Sequence, residues 1–527
     1  MTDVVVAITR VSASTSSGTQ NITTTDLGGR TPKAVRITGT YATANNTVTS
    51  DACISIGVSD GTSDYCLTFN EEDAQGSTDT ERGVWDDSLV RYLIPGDATN
   101  WGTATNNGFI TNGVQLNWST GANAAYLLTV EFFAGDDLSA FVDSTRLSTV
   151  DVPVNYTGAP FAFDAGFFYG FMGGTGVTGR SQIQMGICDG SGNQRSFAYV
   201  SFNGLGTSSL VGYLSSDRAF CAINAGGVFD YGVLLSDIDS QGFTHTTDTN
   251  SSSNLFFFLL LNTNGLNVLV SEDTIPTTTG SHGVSGLGFT PQYIYDIETA
   301  FTSYDSLLTD DPVGELAFSA FTEDSAYSNT RSSRDGVSTS VAKSLSKATA
   351  SALLKYDGSG LDVEAAWTSM DSGGFTRNFT TVNGSASKWP FLAIQSPGVP
   401  VVIELGVGDL TLTGLQPTTL AETEISLGAG ALTLAGIQPI ILVETGISLG
   451  VGALTLAGLQ PTTLAETGIS LGVGALTLTG YAPQTQTEVE AIQLGVGDLT
   501  LTGLAPAIYI GKSADTPRWT RLPDRII

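Results

Sequence analysis

The sequence predicts an all-β protein: three β-sandwich or jelly-roll-like modules followed by a shaft of short β repeats. Three observations carry this. Five near-copies of one unit run from Ile403 to Pro506. Apolar and polar residues alternate with period two through these copies, the pattern of strands with one buried face. Turn and strand landmarks also recur three times ahead of them, in the same order. Helical periodicity is confined to Ser338–Leu354, where Val341, Leu345, Ala348 and Leu353 fit one face of a short helix.

Residues 1–25 are rich in Ser and Thr, with one apolar run from Val4 to Ile8, and read as an N-terminal strand or docking arm. Modules are expected at 26–143, 144–284 and 285–397. Their first landmark is a proline ahead of an extended strand, at Pro32, Pro160 and Pro291. The second is a strand running into an Asp-Gly turn, Asp60-Gly61 and Asp189-Gly190, which has decayed to Glu323-Asp324 in the third copy. The third is Gly-Phe opening a polar strand, Gly108-Phe109, Gly242-Phe243 and Gly374-Phe375. The last is an apolar strand, Tyr126–Phe133, Leu255–Leu261 and Trp389–Ile394. Many short strands with regularly spaced turns point to sandwiches.

Gln395-Ser-Pro-Gly-Val-Pro400 reads as a hinge into the repeats at 398–510. These open at Ile403, Ile425, Ile447, Ile469 and Ile492, three steps of 22 residues and one of 23. A fixed period of this length belongs to stacked, elongated architectures. Ile425 and Leu427 alternate with polar or small residues, as do Leu432 and Leu434, with Gly428 and Gly430 between them; the expected unit is a hairpin plus a connector. A lone hairpin cannot bury its apolar face. Closure by several chains, three being the expected number, would pack Ile425, Leu427, Leu432, Leu434, Leu454, Leu456, Leu476 and Leu478 along a common shaft. A single-chain β-solenoid is the competing arrangement. A flexible low-complexity linker is a third, against which the strict leucine alternation argues.

No Lys or Arg occurs from Trp389 to Gly511; Lys512, Arg518, Trp519, Arg521 and Arg525 then arrive together in the tail 511–527. They read either as an ordinary solvated tail or as a docking tag for an acidic surface.

With 51 acidic and 21 basic residues, the net charge of −30 disfavours nucleic acid and anionic membranes as partners. The apolar run Leu255–Leu261 is too short to cross a bilayer and reads as a buried strand; no signal peptide is expected. Cys53, Cys66, Cys188 and Cys221 lack zinc spacing. Cys53 and Cys66 could sit on neighbouring strands and bond, but buried free thiols are the expectation for cytoplasmic assembly.

The Arg30-Thr-Pro-Lys-Ala-Val35 opening, Ile54-Ser-Ile-Gly-Val-Ser-Asp-Gly61, Gly288-Phe-Thr-Pro-Gln292 and the Gly-Ala-Leu-Thr-Leu repeats together resemble structural proteins of tailed-bacteriophage particles. The repeats are similar to the triple β-spiral shafts of trimeric viral fibres, although each unit is longer. The resemblance implies a virion fibre or spike with host-attachment modules, partnered by its own copies in a trimer, by other virion proteins and by host glycan. The alternative is a capsid or tail decoration protein without a receptor role, and a glycan depolymerase comes third. No functional residue carries over, because the motifs define none.

The residues themselves point to no enzyme, cofactor or metal. His245 and His282 stand outside any nucleophile or metal motif, and His245, among threonines, reads as a surface residue. Asp189-Gly-Ser-Gly-Asn193 starts like a calcium loop but lacks the closing acid at Val200. Trp85, Trp101, Trp118 and Trp367 are candidate sugar-stacking residues, with core packing as the competing role.

Overall fold

The structure is a computed structural model. It describes residues 3–396, apart from short segments at 96, 149, 171–175, 179–180, 225, 249–253, 310–313, 349–350 and 357–360, and the strands of the repeats between 402 and 503. The chain is all-β and divides into two compact units at Pro397/Gly398.

The first unit holds three two-layer sandwiches with one strand order. In module 1 the large sheet runs Val5–Ser12, Leu127–Ala134, Pro32–Gly39, Ala52–Ser59, Asp64–Glu71 and Thr80–Trp85. Its small sheet runs Gly18–Thr23, Gly113–Thr120, Asp97–Ile110 and Val90–Ile94. Module 2 repeats the large sheet from Ser139–Arg146 to Leu210–Ser215, and module 3 repeats it from Val268–Thr274 to Ala342–Ala348. In each module the opening strand pairs with the closing one: Val5–Ser12 with Leu127–Ala134, Ser139–Arg146 with Leu255–Asn262, Val268–Thr274 with Lys388–Gln395.

That pairing moves the expected boundaries. Residues 1–25 are not an arm, since they supply one strand to each sheet of module 1. A boundary at 143/144 would cut the opening strand of module 2, and one at 284/285 would leave the opening strand of module 3 in module 2. The opening strand meets its partner only after more than a hundred residues, so no local turn signal marks it. The expected helix at Ser338–Leu354 is instead the strand Ala342–Ala348 and the start of Ser351–Tyr356, the former paired with Ala326–Ser333.

The three large sheets form a ring by lending strands. Gly176–Thr178 of module 2 extends the sheet of module 1 at Thr80–Trp85. Leu307–Leu308 of module 3 extends that of module 2 at Leu210–Ser215, and Thr49–Ser50 of module 1 extends that of module 3 at Ala342–Ala348. Each large sheet is buried on both faces. One face packs on its own small sheet, as Val35, Ile37 and Phe132 do against Leu116 and Trp118. The other joins a core common to all three modules, with Ile56 and Phe69, Phe167 and Tyr199, Tyr295 and Phe318. Double burial explains the unbroken apolar run Phe256–Leu261, every residue of which is inaccessible.

The glycine landmark shifts by one strand in module 1. The equivalent of Gly242 and Gly374 is Gly113, which opens Gly113–Thr120, and not Gly108. A Cβ at Gly113, Gly242 or Gly374 would lie 1.9, 2.0 or 1.8 Å from the carbonyl oxygen of Ile22, Tyr156 or Val284, so the close approach of the first small-sheet strand demands glycine three times.

In the second unit the repeats do not form hairpins. Each of the first four supplies three described strands, for example Glu424–Ala429, Leu432–Gly436 and Ile440–Val443, and the fifth supplies two. Every strand pairs in parallel with its counterpart in the next repeat: Ile425 with Ile447, Leu427 with Leu449, Leu432 with Leu454, Leu434 with Leu456, and onward to Leu476 and Leu478. Two five-stranded parallel sheets and one of four result, a three-sided single-chain coil. Within the chain this is the pairing of the competing solenoid reading. Period-two alternation identifies a strand but not its partner, and stacking on the next repeat places identical residues opposite each other. Within this coil the backbone pairing expected from several chains is made by one.

Candidate functional site: the axis and crown of the module ring

The register fixes which residues are equivalent. The turn of the inner hairpin in each large sheet is closed by Ser59/Asp64, Cys188/Gln194 and Phe321/Ala326. Counting from these pairs, Arg36, Phe167 and Tyr295 hold one position, and Phe69, Tyr199 and Arg331 another. Each set gathers around one line. The Arg36 guanidinium lies 4.9 Å from the Phe167 ring centre and 3.6 Å from that of Tyr295, and the two rings are 5.6 Å apart. Arg331 lies 4.3 Å from the Tyr199 ring and 5.5 Å from Phe69. The modules thus surround a pseudo-threefold axis, with one arginine and two aromatic rings in each layer.

Both arginines are buried and paired. Arg36 donates to Glu131 on the adjacent closing strand, with contacts of 2.7–3.1 Å. Arg331 of module 3 pairs with Glu71 of module 1, and the Tyr199 hydroxyl of module 2 donates to Glu71 Oε1 at 2.8 Å. One ion pair therefore joins all three modules. A homotrimer would set three like charges on such an axis, whereas a single chain can place one cation among aromatic faces and balance it with one carboxylate.

Beyond Glu71, Ser201 and Ser333 the connecting loops interlock in a crown. The Thr78 hydroxyl donates to the Phe202 carbonyl at 2.6 Å, Ser208 to Arg334 at 2.7 Å, and Ser340 to Glu72 at 2.7 Å. Each hydroxyl also accepts a backbone N–H from the same neighbour, from Leu205, Val337 and Gln75. The depression at the centre is lined by Glu71, Glu72, Asp79, Ser201, Ser333 and their neighbours and has room for about a single water molecule. Among the described residues no group of three His, Cys, Asp or Glu side chains is arranged to hold a metal ion.

The Asp-Gly turns also join modules. Asp60 Oδ2 accepts from Val142 N, and Asp189 Oδ2 from Val270 N, both at 2.9 Å. Asp189 Oδ1 takes the N–H groups of Ser191 and Asn193, so the calcium-loop residues close a turn. At the third junction Gln292 takes over. Its Oε1 accepts from Val6 N at 3.2 Å while its Nε2 donates to Gln395 O at 2.9 Å, so the two ends of the ring meet on one side chain.

The tryptophans do not form a site. Trp85 is 8% and Trp118 1% exposed, and Trp118 donates to Gln20 inside the module 1 sandwich. This burial removes both as sugar platforms. Trp101 and Trp367 are half-buried in different modules, against Tyr41 and Tyr126 and against Phe321. The four thiols are free and buried; Cys53 pairs with Asn70 and Cys66 with Gly57, so the two cysteines are out of register. Burial pushes the Cys221 thiol up to about 12. The side chains of Ile425, Leu427, Leu432, Leu434, Leu454, Leu456, Leu476 and Leu478 lie outside the described set, as do Lys512, Arg518, Trp519, Arg521 and Arg525 entirely.

His245 is not on the surface. It is fully buried, with ring centres 5.5 Å from Phe256 and 6.3 Å from Phe243 and no polar partner on either nitrogen. Burial alone pulls its pKa down to about 4. Counted from Gly113, Gly242 and Gly374, the equivalents of His245 are Leu116 and Arg377. In module 3 the buried Arg377 donates to Asp296 at 2.6 Å and to Asp273 at 3.1 Å, and burial, partly offset by Arg377, raises Asp296 to about 7. His282 contacts Asp273 at 2.8 Å. One core position thus carries a leucine, a histidine and an arginine in turn.

Comparison with known proteins gave no match to a family model or to a curated sequence.

Proposed function

We propose that this chain is a structural protein of a tailed-phage particle, a fibre or spike in which the module ring presents the outward surface and the repeat coil is a stiff spacer. The observation that carries the reading is the use of polar chemistry. Buried Arg36 and Arg331, the Asp-Gly carboxylates and the crown hydroxyls serve contacts between modules. A chain that combines a closed ring with a regular parallel coil suits a part that bears load and presents a surface. The sequence resemblance to virion proteins supplies the setting.

Host-surface attachment, to glycan in particular, is the role proposed for the ring. A second reading, a decoration protein without a receptor, is favoured by the burial of Trp85 and Trp118. Electron microscopy of particles labelled with antibody against the ring tests the structural role; labelling at a fibre, spike or shell supports it, and unlabelled particles contradict it. Binding of the purified chain on a glycan array supports attachment, and no binding there favours decoration.

A further inference from the structure

Three equivalent contacts, one at each junction of the ring, are built from different chemistry. Tyr65, Arg195 and Tyr327 each follow the first residue after the inner-hairpin turn, and each faces the opening strand of the next module. Tyr65 meets Ser144 of module 2 by a 3.1 Å hydrogen bond. Arg195 meets Glu272 of module 3 as an ion pair at 3.4 Å. The Tyr327 ring meets Arg10 of module 1 with the guanidinium 4.8 Å from its centre, and Arg10 also donates to Asn329 at 2.9 Å. Ser144, Glu272 and Arg10 are equivalent by their pairing with Phe257, Pro390 and Thr129. Of the strand-edge contacts, those through Asp60 and Asp189 are alike and only the third, through Gln292, differs.

We propose that these contacts are a matching code between modules: each module accepts its own successor, and module 3 is recognised by modules 1 and 2 without the peptide link. Exchanging partners would set Arg195 of module 2 against Arg10 of module 1, a like-charge contact, or Tyr65 against Glu272, leaving that carboxylate only the 3.8 Å contact with Lys388 of its own module. Penalties of this kind select among otherwise similar surfaces. The ion pair at Glu71, Arg331 and Tyr199 adds a buried contact that needs all three modules in order.

A protease site inserted in the full chain between Asn264 and Gly265, both exposed in the turn joining modules 2 and 3, tests this. Thermal melting of the uncut variant, matching the parent, establishes that the insertion is tolerated. After cutting, the two fragments are expected to co-elute at the size of the uncut chain. With Glu272→Arg the fragments should dissociate about tenfold more readily, and adding Arg195→Glu should restore binding to within about threefold. Separation of the parent fragments under native conditions would overturn the proposal. So would a Glu272→Arg variant that binds as tightly as the parent, or a double reversal that restores nothing.

Discussion

The guanidinium of Arg36 lies 3.6 Å from the centre of the Tyr295 ring, and these residues hold the same place in modules 1 and 3. An internal repeat has diverged here into complementary halves of one contact. Glu131 balances the buried charge and also accepts a hydrogen bond from Tyr293 of module 3. Replacing Arg36 by Met should destabilise the first unit by ~3–5 kcal/mol, since it strands a buried carboxylate. Replacing Glu131 by Met as well should recover most of that loss. Denaturant midpoints of the parent, single and double variants measure it.

His245 should make module 2 acid-sensitive. The unfolded chain takes up the imidazole proton near the ordinary 6.5, whereas the folded protein resists it down to about 4. Between those values the unfolded state binds more protons, so stability falls as pH falls through this window and the loss is complete below it. At ~1.4 kcal/mol per pH unit the loss reaches ~3 kcal/mol. His245→Leu, which copies Leu116 of module 1, should remove this component. The measurement is the difference between the two stability profiles, because Asp296 contributes a pH dependence common to both.

Gly374→Ala should detach the strand Gly280–Ser285 from the small sheet of module 3. The added methyl would meet the Val284 carbonyl at 1.8 Å, so backbone must move. A loss of ~1–3 kcal/mol is expected. Amide exchange should quicken first at Gly280–Ser285 while the large sheet stays protected.

The coil makes a prediction about register. Deleting residues 447–468, one complete repeat, should leave the remaining parallel ladders intact, because residues facing each other across successive turns are 22 apart there. Deleting half of that span should break all three ladders at once. Limited proteolysis separates the outcomes, a stable shortened coil in the first case and rapid cleavage in the second.

The sequence showed strands, turns and period clearly, because each depends on neighbouring residues. The Asp-Gly turns and the apolar closing strands stand where alternation and glycine place them. Pairing was less legible. Nothing near Val5–Ser12 reveals that it meets Leu127–Ala134, and the third strand of the first four repeats, such as Thr418–Ala421, has no leucine alternation to mark it. Buried polar residues were least legible. His245 sits among threonines in a strand whose inward positions are themselves polar at Thr247, and Arg331 becomes a core residue only through Glu71, far away in sequence. The tryptophans misled for a related reason, since an aromatic beside Asp or Asn in sequence can point into a sandwich.

The three modules form a closed ring with one cyclic order. A circular permutant tests it most directly. Gln395 and Val6 already meet on Gln292, so a short linker can join the end of module 3 to the start of module 1, with new termini opened in the turn between modules 1 and 2. The order 2-3-1 keeps every junction; the order 2-1-3 reverses the cycle. The ring account predicts that 2-3-1 folds cooperatively with a denaturation midpoint close to that of the parent, and that 2-1-3 does not. Equal folding of both, or failure of 2-3-1 alone, would contradict it.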